Sequence, residues 1–217
     1  MDLLRALLPC PGCGRRPSGP RGACAACWHR FVVPPPPRPS GTRPIHGPCV
    51  VALGPYRGGL GRLVRAAKYR PDRRLLRALG TELGVRVRRI ATAARPASSA
   101  WLVVPVPADP RRARRRGLDH AALLAAAVAR AWGPGATVRP GLRRTRPTRT
   151  QAGASDAVRR RNVAGAIAWH DAVTLAGRSV LLVDDVLTTG ATARACAAAL
   201  HAAGAGDVWV AVIARAR

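Results

Sequence analysis

Apolar runs that do not alternate set the fold class of this chain. Trp101-Leu102-Val103-Val104 and Val180-Leu181-Leu182-Val183 are apolar at every position, and Val208-Trp209-Val210-Ala211-Val212-Ile213 repeats the pattern late in the sequence. A strand with one wet face alternates with period two. A strand apolar throughout is buried on both faces, as in a parallel sheet covered by helices. Helical stretches separate the runs: Leu60, Leu63, Val64 and Ala67 recur at helical spacing, and residues 75–90, 121–132 and 191–203 read as further helices. Val50-Val51-Ala52-Leu53 adds another strand candidate. The pattern predicts an α/β, doubly wound, mainly parallel sheet whose ligands sit beyond the strand C-termini.

Composition narrows the class further. At 217 residues and 48% apolar the chain is long enough to bury a core, short for two large domains and too apolar for wholesale disorder. Lys+Arg is 37 against 10 for Asp+Glu, a formal charge of +27, and every basic residue except Lys68 is Arg. No run of about 18 apolar residues exists, which excludes a membrane-spanning helix. Leu3, Leu4, Leu7 and Leu8 precede Cys10, but Arg5 and Pro9 break the stretch and no small-residue cleavage site follows. An amphipathic first helix is expected rather than a signal segment, which implies a cytoplasmic protein with reduced cysteines.

Three zones follow one another: residues 1–33, rich in Cys and Gly; a Pro-rich linker, 34–47; and the α/β domain, 48–217. The first zone carries Cys10-Pro11-Gly12-Cys13 and Cys24-Ala25-Ala26-Cys27. Four thiolates from two tight turns can close a tetrahedron around Zn²⁺, with Gly12 and Gly14 letting the first turn fold back. A redox CxxC would not need duplication, and four buried thiols are the remaining alternative. A small zinc ribbon is expected, closed and therefore structural. Cys49 and Cys196 read as ordinary buried small residues.

The most informative segment is Val180-Leu181-Leu182-Val183-Asp184-Asp185-Val186-Leu187-Thr188-Thr189-Gly190-Ala191-Thr192. A buried run ends in two adjacent carboxylates, whose repulsion needs offsetting partners. Two Thr, a Gly and a helix start follow, and hydroxyls, exposed amides and a helix N-terminus together make an anion cradle. An Asx turn before a capped helix is the plain structural alternative. The ordered segment as a whole resembles the motif with which type I phosphoribosyltransferases bind phosphoribosyl diphosphate (PRPP). The resemblance implies that Asp184 and Asp185 take the ribose hydroxyls and that Thr188, Thr189, Gly190, Ala191 and Thr192 wrap the 5′-phosphate. It also implies a sheet of the type I phosphoribosyltransferase kind.

Supporting segments narrow the family. Pro105-Val106-Pro107 follows a strand, and Arg111, Arg112, Arg114, Arg115 and Arg116 crowd the approach to a helix. Guanidinium forks suit diphosphate oxygens, although a solvated basic loop would look the same. Arg146, Thr148, Thr150, Gln151, Ser155, Arg159, Asn162, Val163 and Gly165 follow, and Tyr56, Lys68 and Tyr69 precede. In this order the segments resemble the ComF family, proteins linked with natural competence that carry a phosphoribosyltransferase-like domain and often a zinc finger. Asp119-His120 stands where Asn-Gln is expected, Val158 for a Glu and Ile167 for a Phe.

What the resemblance implies is PRPP bound with Mg²⁺, attack of a nitrogenous acceptor on C1 of the sugar, and departure of pyrophosphate. Arg115, Arg116 and Lys68, with the Pro105-Val106-Pro107 loop, would serve the diphosphate. A lone retained Lys in an Arg-rich chain hints at a need for a compact ammonium. Two alternatives stand beside transfer: a non-catalytic sensor of PRPP or a nucleotide, and a binder of single-stranded DNA or competence proteins. Charge alone gives phosphate affinity. Stacking aromatics are few, and Trp28, Trp101, Trp132 and Trp209 read as packing residues.

Overall fold

A computed structural model of the chain describes residues 7–32, 49–69, 73–94, 100–108, 118–146 and 165–216. Its elements run α1 (Ala25–Phe31), β1 (Cys49–Pro55), α2 (Gly58–Tyr69), α3 (Arg73–Ala94), β2 (Trp101–Pro105) and α4 (His120–Trp132). There follow β3 (Ala136–Val138), β4 (Leu142–Arg144), β5 (Ile167–Trp169), β6 (Val180–Leu187), α5 (Ala191–Ala202) and β7 (Val208–Arg215). Five strands form one sheet in the order β1-β7-β6-β2-β3. Every neighbouring pair in it is parallel. β4 and β5 make a separate antiparallel ribbon.

The continuous apolar runs are buried on both faces, as a parallel sheet requires. One face, with Trp101, Val103, Leu181, Val183, Trp209 and Ala211, packs under α2, α3 and α4. The other, with Leu102, Val104, Val180, Leu182 and Val210, packs under α5 and the β4–β5 ribbon. Trp101 lies at 5.3 Å from Trp132 and 5.2 Å from Trp209, ring centre to ring centre. Trp28, Trp101, Trp132 and Trp209 are all buried, as the packing interpretation expects. No helix among the described residues is long and apolar enough to cross a membrane.

Two boundaries differ from the sequence expectation in ways that matter. α3 runs from Arg73 to Ala94, beyond 75–90, because Ala91 continues the buried stripe of Leu76, Leu79, Leu83 and Val87. β6 does not stop before the acidic doublet: it continues to Leu187, still paired with β7 through Leu187↔Arg215. Of the expected first helix, residues 1–6 lie outside the described residues. Leu7 and Leu8 are exposed and sit in a turn, with Leu8 O accepting from Ser18 N. Cys196 is buried as expected, while Cys49, on the edge strand, is half-buried.

Candidate functional site

Strand order locates the crevice. From β2 the chain moves outward to β3, and from β6 it moves the other way to β7, so the order reverses between β2 and β6. A parallel α/β sheet splays open at such a switch point and takes its ligand there. The ladders show why this point is open. β2 pairs with β6 only as far as Pro105↔Val183 and then turns away. β6 runs on beside β7, so Asp184 and Asp185 stand on a strand supported from one side.

A cavity of about 300 Å³ opens at that spot. Asp184, Asp185, Thr188 and Thr192 form one wall, Val106, Pro107 and Ala108 another. α2 contributes Lys68, the start of α4 contributes Asp119 and His120, and Tyr56 and Arg144 complete the rim. Of the sequence candidates, Asp184, Asp185, Thr188, Thr192, Val106, Pro107 and Lys68 therefore come together. Pro105 is buried in β2 and does not line the cavity. Arg115 and Arg116 lie outside the described residues, as do the rest of Arg111–Arg116 and Thr148 through Asn162.

The doublet is partnered asymmetrically. Lys68 Nζ lies 2.9 Å from Asp185 Oδ1. Asp184 Oδ1 instead accepts from the Asp185 amide at 2.8 Å. Burial, and then the neighbouring Asp185 charge, push the Asp184 carboxyl up to about 7; the amide bond, Lys68 and Arg144 pull the other way. Arg144 is braced by its Nε, which donates to Pro107 O at 3.2 Å. The β4–β5 ribbon thus hands a guanidinium to the loop that follows β2.

The turn after β6 is built as an anion cradle would be, with a division of labour that the sequence did not distinguish. Gly190 caps α5 with φ 73°, a left-handed conformation in which a Cβ is strained. Thr189 Oγ1 accepts from the Ala191 amide at 3.3 Å, and its carbonyl accepts from Arg194 Nη2 at 2.9 Å. Thr189 therefore braces the turn, while Thr188 and Thr192 face the cavity. Among the described residues no backbone carbonyl engages the amides of Thr189 or Gly190. With the amides of Thr192 and Ala193 in the first turn of α5, they leave donors for an anion.

The four cysteines of the first zone converge. Their sulfurs all lie within 4.8 Å of one another. Zn–S bonds of about 2.3 Å put tetrahedral sulfurs about 3.8 Å apart, so the set fits Zn²⁺. Cys10 Sγ already accepts from Gly12 N at 3.4 Å and from Cys24 N at 3.2 Å, so two backbone amides fix where this sulfur sits. Burial pushes the Cys27 thiol up, so its thiolate needs a cation beside it. A Cβ on Gly12 would stand 2.8 Å from Cys27 Sγ, which explains the glycine. The knuckle also seats on the sheet-covering layer: Arg62 Nε on α2 donates to Gly12 O at 2.8 Å.

Sequence reasoning missed Arg144 as a site residue. In a chain with so many arginines its type carries no signal, and its place depends on the pairing of β4 with β5. Asp119 and His120 were visible only as departures from a pattern, although their position at the head of a helix was the available clue.

No family model matches the chain. Over 108 residues it is 36% identical to the DNA utilization protein YhgH of Escherichia coli O157:H7, which covers 50% of this chain and 46% of that protein. The chain thus spans about half the length of that curated relative. Among solved structures it resembles the allosteric regulatory enzyme of purine biosynthesis, at 22% identity and a TM-score of 0.37, over 62% of this chain and 26% of that one.

Proposed function

We propose that the chain is a phosphoribosyltransferase-like protein that binds PRPP in the cavity between β2 and β6 and transfers its phosphoribosyl group to a nitrogenous acceptor. The observation that carries this reading is the meeting, in one cavity at the switch point, of the acidic doublet with Thr188, Thr192, Lys68 and Arg144. Asp184 and Asp185 accept from the ribose hydroxyls, and the α5 cradle takes the 5′-phosphate. In transfer, the bond from C1 to the diphosphate oxygen breaks with its electron pair leaving on pyrophosphate. A C1–N bond forms, and the acceptor nitrogen releases a proton. The centre is oxocarbenium-like on the way, so the protein positions and stabilises and no nucleophilic side chain is needed.

Asp184 and Asp185 each retain a carboxylate oxygen outside the Asp185 amide bond and the Lys68 pair, hard donors of the kind Mg²⁺ takes. When bound there, Mg²⁺ would supply charge neutralisation for the diphosphate. Zn²⁺ would be held by Cys10, Cys13, Cys24 and Cys27 as a structural ion. The 1–33, 34–47 and 48–217 zones are taken as knuckle, linker and ligand-binding unit, in a cytoplasmic protein. The test is pyrophosphate release from PRPP across a panel of bases and amines. Release with one acceptor supports transfer; PRPP binding without release from any acceptor reduces the protein to a PRPP sensor.

A second reading, contact with single-stranded DNA in uptake, draws on the likeness to a DNA utilization protein and on the +27 charge. The aromatic side chains favour the first reading. All five Trp are buried or half-buried, and Tyr69, 72% exposed, is the large exposed ring. Titration of a labelled oligonucleotide at two salt concentrations separates them: binding that survives loss of both Asp residues belongs to the charged surface.

A further inference from the structure

We infer that His120 is a positioning residue: its imidazole grips the C-terminal end of α2 and so holds the Lys68 ammonium on Asp185. His120 opens α4, is 7% exposed, and places Nε2 3.1 Å from the carbonyl oxygen of Ala67. A carbonyl only accepts, so Nε2 carries the proton and donates. The acceptor explains the bond. Ala67 O lies in the last turn of α2, where carbonyls lack a helical partner. The residue four positions on is Pro71, which has no N–H to offer. His120 supplies the donor that the sequence withholds.

The peptide that His120 grips is the one leading into Lys68. Leu63, Val64 and Ala67 bury the inner face of α2, and the His120 bond fixes its end, from a position 53 residues further along the chain. Lys68 then reaches across the cavity to Asp185. His120 itself is steadied by its neighbour: Asp119 Oδ1 caps α4 by accepting from Ala122 N at 3.0 Å. Glutamine, the residue the ComF pattern leads one to expect here, also carries an N–H donor on a long side chain. The departure at this position keeps the donor and changes the group that bears it.

Lys68 is the chain's one lysine, which makes the test direct. In protein grown with ¹³Cε-lysine, a single NMR signal reports Lys68. His120→Leu is expected to move that signal toward the position of a free lysine, and His120→Gln to leave it in place. An unmoved signal in a folded His120→Leu protein overturns the assignment, as does failure of His120→Gln to preserve it. Should His120→Leu not fold, His120→Asn, with a shorter amide, replaces it with the same two outcomes.

A second arm rests on the PRPP reading. Loss of one such hydrogen bond should weaken PRPP binding about fivefold to tenfold in the wild-type background. It should weaken it less than about twofold when Lys68 is already Met, because the two residues act as a unit. Additive losses overturn the route through Lys68. A moved lysine signal with no PRPP binding by the wild type would sink the ligand reading and leave the positioning role standing.

Discussion

Lys68 Nζ and Asp185 Oδ1 stand 2.9 Å apart, with side chains only 17% and 15% exposed. The pair joins the end of α2 to the C-terminal half of β6 and thereby fixes two walls of the cavity. It leaves Asp184 the less compensated carboxylate, disfavoured as an anion by burial and by the neighbouring Asp185 charge. That asymmetry sets what each carboxylate can do toward a ligand: Asp185 is held in place by a cation, Asp184 by a backbone amide.

Removing the ammonium tests the pair. Lys68→Met keeps the apolar stem and strands a mostly buried carboxylate, at a cost of about 1–3 kcal/mol in stability. PRPP affinity is expected to fall about tenfold or more, since the diphosphate loses a cation. Urea denaturation reads the first effect and calorimetric titration the second. Unchanged values in both would show that the pair has no such role.

The doublet also predicts a pH dependence of stability. Asp184 is raised from 3.8 to about 7 in the fold, by burial first and then by Asp185. Between those values the folded state binds more protons than the unfolded chain, so stability present at low pH is lost as pH rises. Asp184→Asn removes the titrating group. The variant should therefore gain stability over wild type as pH goes from about 4 to about 7, with no further gain above. Urea midpoints at several pH values check this; a gain that grows toward acid would contradict it.

Gly190 makes the sharpest backbone prediction. Gly190→Ala places a Cβ on a residue with φ 73° and brings it 2.9 Å from Arg194 Nη1. The left-handed conformation costs about 1–2 kcal/mol with a side chain, and the Arg194 brace on Thr189 O must shift. Melting temperature should fall modestly and the stabilisation by PRPP largely disappear. Retention of the full ligand effect would mean that the turn is not the phosphate cradle.

The knuckle predicts one zinc per chain by elemental analysis, and loss of it in Cys10→Ser or Cys27→Ser. Because Gly12 O is bonded to Arg62 on α2, metal loss should lower the melting temperature of the whole fold rather than free a separate segment. Hydrogen exchange along residues 58–69 reads that coupling. Absence of zinc in freshly purified protein would favour the alternative of four thiols.

Much of this fold is legible in the residue pattern. The apolar runs gave the parallel sheet, and the residue order after Val183 gave both the acidic doublet and the turn. What was not legible depended on distant pairing. That β6 outruns β2 follows from where β2 turns away at Pro105, so the doublet sits within a strand instead of after it. Arg144 enters through the β4–β5 ribbon, and the His120 bond to Ala67 spans two helices. Thr189 could not be told from Thr188 by type, because the turn geometry decides which hydroxyl braces and which faces the cavity.

The most direct measurement is a crystal structure of the protein soaked with PRPP and Mg²⁺. The 5′-phosphate is expected against the amides and hydroxyls of residues 188–192, with the ribose hydroxyls on Asp184 and Asp185. Density for the ligand elsewhere, or a cavity that stays empty at saturating PRPP, would contradict this placement.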